Sequence, residues 1–123
     1  MIQTEIKATA LELTPAIKNY LEAKILTLDK FVDSSTGGVL VDVELAKTTG
    51  HHHLQGEIFK AEINLQVNGS FYRASVTKED LYAAIDEMKD EIIRQITEKK
   101  SKKQTLFKKG ARRLKGLLRG WGK

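Results

Sequence analysis

Ala61-Glu62-Ile63-Asn64-Leu65-Gln66-Val67-Asn68-Gly69-Ser70-Phe71-Tyr72-Arg73-Ala74-Ser75-Val76 decides the fold of this chain. Asn-Gly is the favoured pair for a two-residue type I′ turn, because both central positions need positive φ. Such a turn sets the register: Val67 faces Ser70, Leu65 faces Tyr72, Ile63 faces Ala74 and Ala61 faces Val76. One side of the hairpin is then apolar, and the other carries Glu62, Asn64, Gln66, Phe71, Arg73 and Ser75. Turn chemistry and alternation agree on a hairpin with one face against a core.

Upstream, Val39, Val41, Val43 and Leu45 alternate with Asp42 and Glu44 as another strand, after a loop at Ser34 to Gly38. Thr48 to Gly56 reads as a polar loop. Ile2, Thr4 and Ile6 alternate with Gln3, Glu5 and Lys7, the period of a first, half-buried strand. Thr14-Pro15 is a helix start, with Thr capping and Pro in the first helical position. Ile17, Tyr20, Leu21, Ile25, Leu28 and Phe31 then mark one apolar helix face. Downstream, Thr77 to Asp80 has the form of a Thr cap with an acid three residues later. Leu81, Ile85, Met88, Ile92 and Ile96 follow as a continuous stripe. The order is β-α-β-β-β-α, which predicts an α+β sandwich: a four-stranded sheet with two helices packed on one face. The first strand-helix-strand connection is suited to a parallel pair.

Charge divides the chain in two. Residues 1–98 hold ten basic and sixteen acidic side chains, a net of −6; residues 99–123 hold eleven basic and none acidic, a net of +11. A basic block of that density is best relieved by a polyanion, either nucleic acid or an anionic membrane. The expected organisation is an α+β domain over 1–103 and a basic amphipathic tail over 104–123. In the tail Phe107, Ala111, Leu114, Leu118 and Trp121 fall at helical spacing, but interior glycines each cost about 1 kcal/mol against Ala in a helix. It is expected to be flexible when free and helical when bound.

Catalysis finds little support. With no cysteine there is no thiolate nucleophile, disulfide or thiolate metal site. There is no nucleophile elbow, phosphate-cradling loop or dinucleotide fingerprint. The acid pairs Glu79-Asp80 and Asp86-Glu87 lie early in a helix, where they complement the dipole. His51-His52-His53 cannot all converge on one ion from a strand, so no metal or cofactor is expected. These histidines read as part of a polar loop, with stacking on RNA bases a better second reading than metal. No run is long enough to span a bilayer, and the first residues resemble neither a signal nor a transit peptide, so a cytoplasmic protein is expected.

Lys99-Lys100 and Lys102-Lys103 continue the second helix, and Lys89 and Lys100 fall near the helix edge that carries Tyr82. A basic edge with an aromatic suits a phosphate backbone, against the plainer reading of a solvated edge. The tail fits an RNA-threading segment, with Lys108, Lys109, Arg112 and Arg113 as contacts. It also fits an interfacial membrane anchor or a solubilising extension.

Two stretches narrow these readings. Leu13-Thr14-Pro15-Ala16-Ile17-Lys18-Asn19-Tyr20 through Leu28-Asp29-Lys30-Phe31 resembles the opening helix of ribosome hibernation-promoting factors, the ribosome-associated translation inhibitor family. Asp80-Leu81-Tyr82-Ala83-Ala84-Ile85-Asp86 resembles that family's second-helix signature. Gln95-Ile96 with the following lysines resembles the end of the same helix, and the Asn-Gly hairpin resembles its central strands. Over roughly residues 1–103 the resemblance implies a non-enzymatic, cytoplasmic protein. Its partners would be the small ribosomal subunit and ribosomal RNA, and it would block translation by occupying the channel used by messenger and transfer RNA. The implied RNA contacts are Lys78, Lys89, Lys99, Lys100, Lys102 and Lys103, with Lys24, Lys30 and Arg73 as further candidates. The segment after residue 103 is too short for the dimerising second domain of long members. The rival functions are a membrane-surface adaptor anchored by the tail and a generic RNA-binding chaperone.

Overall fold

In the computed structural model, which describes residues 2–32, 38–49 and 57–100, four strands form one mixed sheet in chain order. β1 (Ile2–Thr9) runs parallel to β2 (Val39–Thr49), while β3 (Glu57–Val67) and β4 (Ser70–Lys78) add antiparallel neighbours. A parallel pair needs a long crossover. Helix α1 (Pro15–Thr27), followed by a short 3-10 turn (Leu28–Lys30), supplies it. A second helix, α2, runs over residues 81–100. The expected α+β sandwich is the observed one.

The hairpin register is the one the turn demands. Val67 pairs with Ser70, Leu65 with Tyr72, Ile63 with Ala74 and Ala61 with Val76. Asn68 has φ 49° and Gly69 φ 80°, both in the left-handed region of a type I′ turn. Gly69 removes the Cβ that would penalise this conformation, and Asn is the side chain that tolerates it best.

Register decides burial. Val39, Val41, Val43 and Leu45 on β2 point to the same side as Ala61, Ile63, Leu65 and Val67 on β3, and all eight are buried. Leu21, Ile25 and Leu28 from the first helical segment pack onto this side. Leu81, Ala84, Ile85, Met88, Ile92 and Ile96 join them from α2. A side chain such as Ile92, fully buried, contributes about 2 kcal/mol by area removed from water. No polar or charged side chain is buried among the described residues, so the core stands on apolar packing alone.

Helix α1 begins as its sequence dictates: Thr14 Oγ1 accepts from the Ile17 amide at 3.2 Å, and Pro15 opens the helix. The start of α2 differs from the expectation of a Thr77 cap. Thr77 remains in the β4 ladder opposite Lys60, and the strand continues to Lys78. Asp80 caps instead, its carboxylate accepting from the Tyr82 amide at 3.1 Å and its carbonyl from the Ala84 amide at 3.0 Å. Asp serves at an N-cap as well as Thr does, so the longer ladder moved the helix start at little cost. β2 and β3 also run further than expected. Thr48 and Thr49, expected in the polar loop, pair instead with Ile58 and Glu57. The histidines at 51–53 lie outside the described residues.

Asp80→Ala should lower stability by about 1 kcal/mol, the usual worth of a side-chain N-cap. Denaturant unfolding monitored by circular dichroism measures this, and an unchanged midpoint would remove Asp80 from the capping role.

Candidate nucleic-acid interface

The lysines and arginine singled out in the sequence fall into two groups. The first is occupied by carboxylates. Lys24 Nζ lies 3.3 Å from Asp86 and 5.0 Å above the Tyr20 ring. Lys78 pairs with Glu87 at 2.9 Å, Lys89 with Asp90 at 3.2 Å, and Arg73 with Glu62 at 2.6 Å. These cations are present at the surface, but each shares its field with an acid.

The second group is Lys30, Lys99 and Lys100, none of which forms an ion pair with a carboxylate among the described residues. Lys100 Nζ donates to the Phe31 carbonyl at 2.6 Å, tying the end of α2 to the end of the first helical segment beside Lys30. Lys99 Nζ stands 5.2 Å from the Tyr72 ring centroid. Phe31, Tyr72 and the turn residue Asn68 line a groove between these lysines. Positive charge at the C-terminal end of a helix is favoured by the dipole. This end of the sandwich is therefore a basic pole with two aromatic rings, and the basic segment from residue 101 onward continues from it. Lys102, Lys103, Lys108, Lys109, Arg112 and Arg113 lie outside the described residues.

The sequence grouped Tyr82 with Lys89 and Lys100 on one helix edge. Eighteen residues at 1.5 Å rise separate Tyr82 from Lys100 by about 27 Å, so these two cannot act as one site. Tyr82 instead stacks edge-on against Tyr20 with centroids 4.8 Å apart. The Tyr20 hydroxyl donates to Asp86 at 2.6 Å, joining α1 to α2. That bond, then the burial of the hydroxyl, pushes the Tyr20 phenol up to about 12. The same hydrogen bond, with Lys24 beside it, lowers Asp86. This cluster fastens the helices together. Phe31 and Tyr72 are the groove residues that periodicity assigned to the core alone. Their half-buried rings follow from position at the end of the sheet, which no local pattern encodes.

Arg94 is held by acids of its own helix. Its guanidinium donates to Glu91 and, at 2.6 Å, to Glu98. The Glu91 carboxyl is held down to about 2, chiefly by the hydrogen bonds from Arg94 and then by Gln95. Among the described residues no group of His, Cys, Asp or Glu is arranged to hold a metal ion. No described helix is long and apolar enough to cross a membrane.

Known proteins share both the sequence and the architecture. Residues 4–104 match the family described as Sigma 54 modulation protein / S30EA ribosomal protein. A ribosome hibernation promoting factor of Klebsiella oxytoca is 35% identical over 101 residues, covering 82% of this chain and 96% of that protein. One from Azotobacter vinelandii is 33% identical, covering 82% and 85%. The crystal structure of the Thermus thermophilus Protein Y N-terminal domain superposes with a TM-score of 0.59 at 32% identity, over 74% of this chain and 91% of that one. A ribosomal subunit interface protein of Coxiella burnetii shares the fold with a TM-score of 0.58 at 13% identity, covering 82% of this chain and 99% of that one.

Because the Glu91 carboxyl has a folded-state pKa below its ordinary 4.5, its contribution is complete above that value and is lost as pH falls through about 2. The stability difference between the wild type and Glu91→Gln should be full at neutral pH. It should shrink as pH falls below about 4.5 and vanish below about 2. Thermal unfolding across this range measures it, and a difference independent of pH would show that the carboxylate charge plays no part.

Proposed function

The chain belongs to the Sigma 54 modulation protein / S30EA ribosomal protein family, and from that premise we propose that it is a ribosome hibernation factor. In this reading it binds the small ribosomal subunit in the channel of messenger and transfer RNA and inhibits translation by steric occlusion. The observation that carries it is the extent of the family match, which takes in the whole sandwich from β1 through the end of α2 and the first lysines beyond. The chemistry agrees. A rigid apolar core with two helices on one face makes a wedge of fixed shape, which occlusion requires. The basic pole supplies the attraction for ribosomal RNA, and no catalytic step is needed. Such a protein acts in the cytoplasm, where the ribosomes are.

Within the interface, Lys30, Lys99 and Lys100 are the contacts with the most to give, because none of them is paired with a carboxylate among the described residues. Lys24, Lys78, Lys89 and Arg73 contribute less, since each gains a phosphate only by weakening an existing pair. Lys102, Lys103, Lys108, Lys109, Arg112 and Arg113 would extend the track along the RNA. Residues 105–123 lie past the residues matched by the family model.

Sedimentation with purified small subunits tests the proposal. If six to ten phosphates are neutralised, binding should fall by roughly 10³–10⁵ between 50 and 200 mM salt. Lys30→Glu with Lys99→Glu should weaken binding and reduce the salt slope by about two, one for each lost phosphate contact. Lys78→Ala should do markedly less. Failure to sediment with small subunits even at low salt would defeat the proposal.

A further inference from the structure

The open face of the sheet, opposite the helices, carries a feature that the ribosome-binding reading does not use. Phe71 is 72% exposed and Leu40 41% exposed, although both sit in strands. Leu40 pairs with Gln66 and Gln66 with Phe71, so the two apolar side chains flank one glutamine on adjacent strands and line a shared depression. The next row is Glu5, Asp42, Asn64 and Arg73. Glu5 and Asp42 have no cation partner among the described residues. Arg73 is bound to Glu62, while Glu62 and Glu44 share Lys60, and Glu44 also meets Lys7. The face thus carries two exposed apolar side chains bordered by two carboxylates that have no cation partner among the described residues, which suits a basic amphipathic segment.

The chain contains one such segment, and it leaves the sandwich at the right end. The apolar row lies one residue pair from the Asn68-Gly69 turn. The same turn borders the groove of Lys99 and Lys100, where α2 delivers the chain to residue 101. Residues 101–106 reach about 20 Å when extended, twice the roughly 10 Å that separates one packed layer from the next. Phe107, Leu114, Leu118 and Trp121 recur at helical spacing, with Lys108, Arg112, Lys115 and Arg119 among them.

We infer that residues 104–123 dock in cis on the open sheet face, their apolar stripe on Leu40 and Phe71 and their cations beside Asp42 and Glu5. The inference does not rest on ribosome binding. It makes the face an internal counter-ion for the tail, so that any RNA reaching the tail must compete with the protein's own sheet.

Trp121 is the single tryptophan of the chain, so its emission reports the tail in the intact protein. At low salt the full chain should emit to the blue of free tryptophan and resist quenching by acrylamide. Phe71→Ser with Asp42→Lys should shift emission to the free-tryptophan position and raise the quenching constant several-fold. Leu26→Ser, an exposed leucine on α1, should leave both unchanged. A second measurement leaves the body untouched: in the full chain, Leu118→Ala with Trp121→Ala should move the backbone amide resonances of Leu40, Gln66 and Phe71. Wild-type emission already at the free-tryptophan position would overturn the inference. So would a blue shift lost on dilution, which would assign the contact to a second copy, or resonance changes confined to other surfaces.

Discussion

Everything else in this protein depends on the register of β3 against its two neighbours. Side chains alternate strictly across a sheet, so a slip of one residue would turn Ile63 and Leu65 outward and bring Glu62 and Asn64 into the core. The Asn68-Gly69 turn prevents the slip on one side. With only two residues and both at positive φ, it admits one pairing, Val67 with Ser70. On the other side β2 carries four valine or leucine residues at alternate positions, and the eleven-residue ladder from Val39 to Thr49 repeats the choice along its length. The helices then have a single apolar surface to cover. Their fastening by Tyr20, Asp86 and Lys24 refines a contact that packing had already set.

The elements that could be read from sequence were those in which two signals coincided. The hairpin had turn chemistry and alternation; α1 had Thr14, Pro15 and a 3.6-residue stripe. The stripe of α2 was equally legible, and all five residues expected to face the core do so. Its start was not, because Thr77 satisfies the local pattern of a cap while its backbone is committed to β3. A non-local ladder outweighs a local capping preference whenever a second capping residue lies a few positions on, and Asp80 does. The extra length of β2 and β3 escaped for the same reason: Thr48 and Thr49 look like loop residues until their partners across the strand are known.

The candidate interface was legible as a composition and only partly as a geometry. Counting lysines located the basic block after Glu98, and the lysines at 99 and 100 do form a basic pole. Counting could not separate Lys30 from Lys24. Six residues apart on the same segment, they differ in having or lacking an acid from another helix nearby. Lys24 meets Asp86, which is 62 positions away in sequence. Pairing of this kind is a tertiary property. It converts a list of cations into a much smaller set whose field reaches solvent undiminished.

That distinction also resolves how a domain of net negative charge can approach a polyanion. An exposed ion pair is worth roughly 0–1 kcal/mol, so it adds little stability, but it cancels charge locally and removes its carboxylate from the long-range field. Glu62, Asp86, Glu87, Glu91 and Glu98 are all spent in this way. Beyond about 8–10 Å an incoming phosphate is screened from most of the body by salt and senses the nearest unpaired groups. At the pole of Lys30, Lys99 and Lys100 those groups are positive. On the open sheet they are Glu5 and Asp42. The molecule is therefore polar in the electrostatic sense, with lysines gathered at one end and the carboxylates of Glu5 and Asp42 on the open sheet. The overall charge count describes neither.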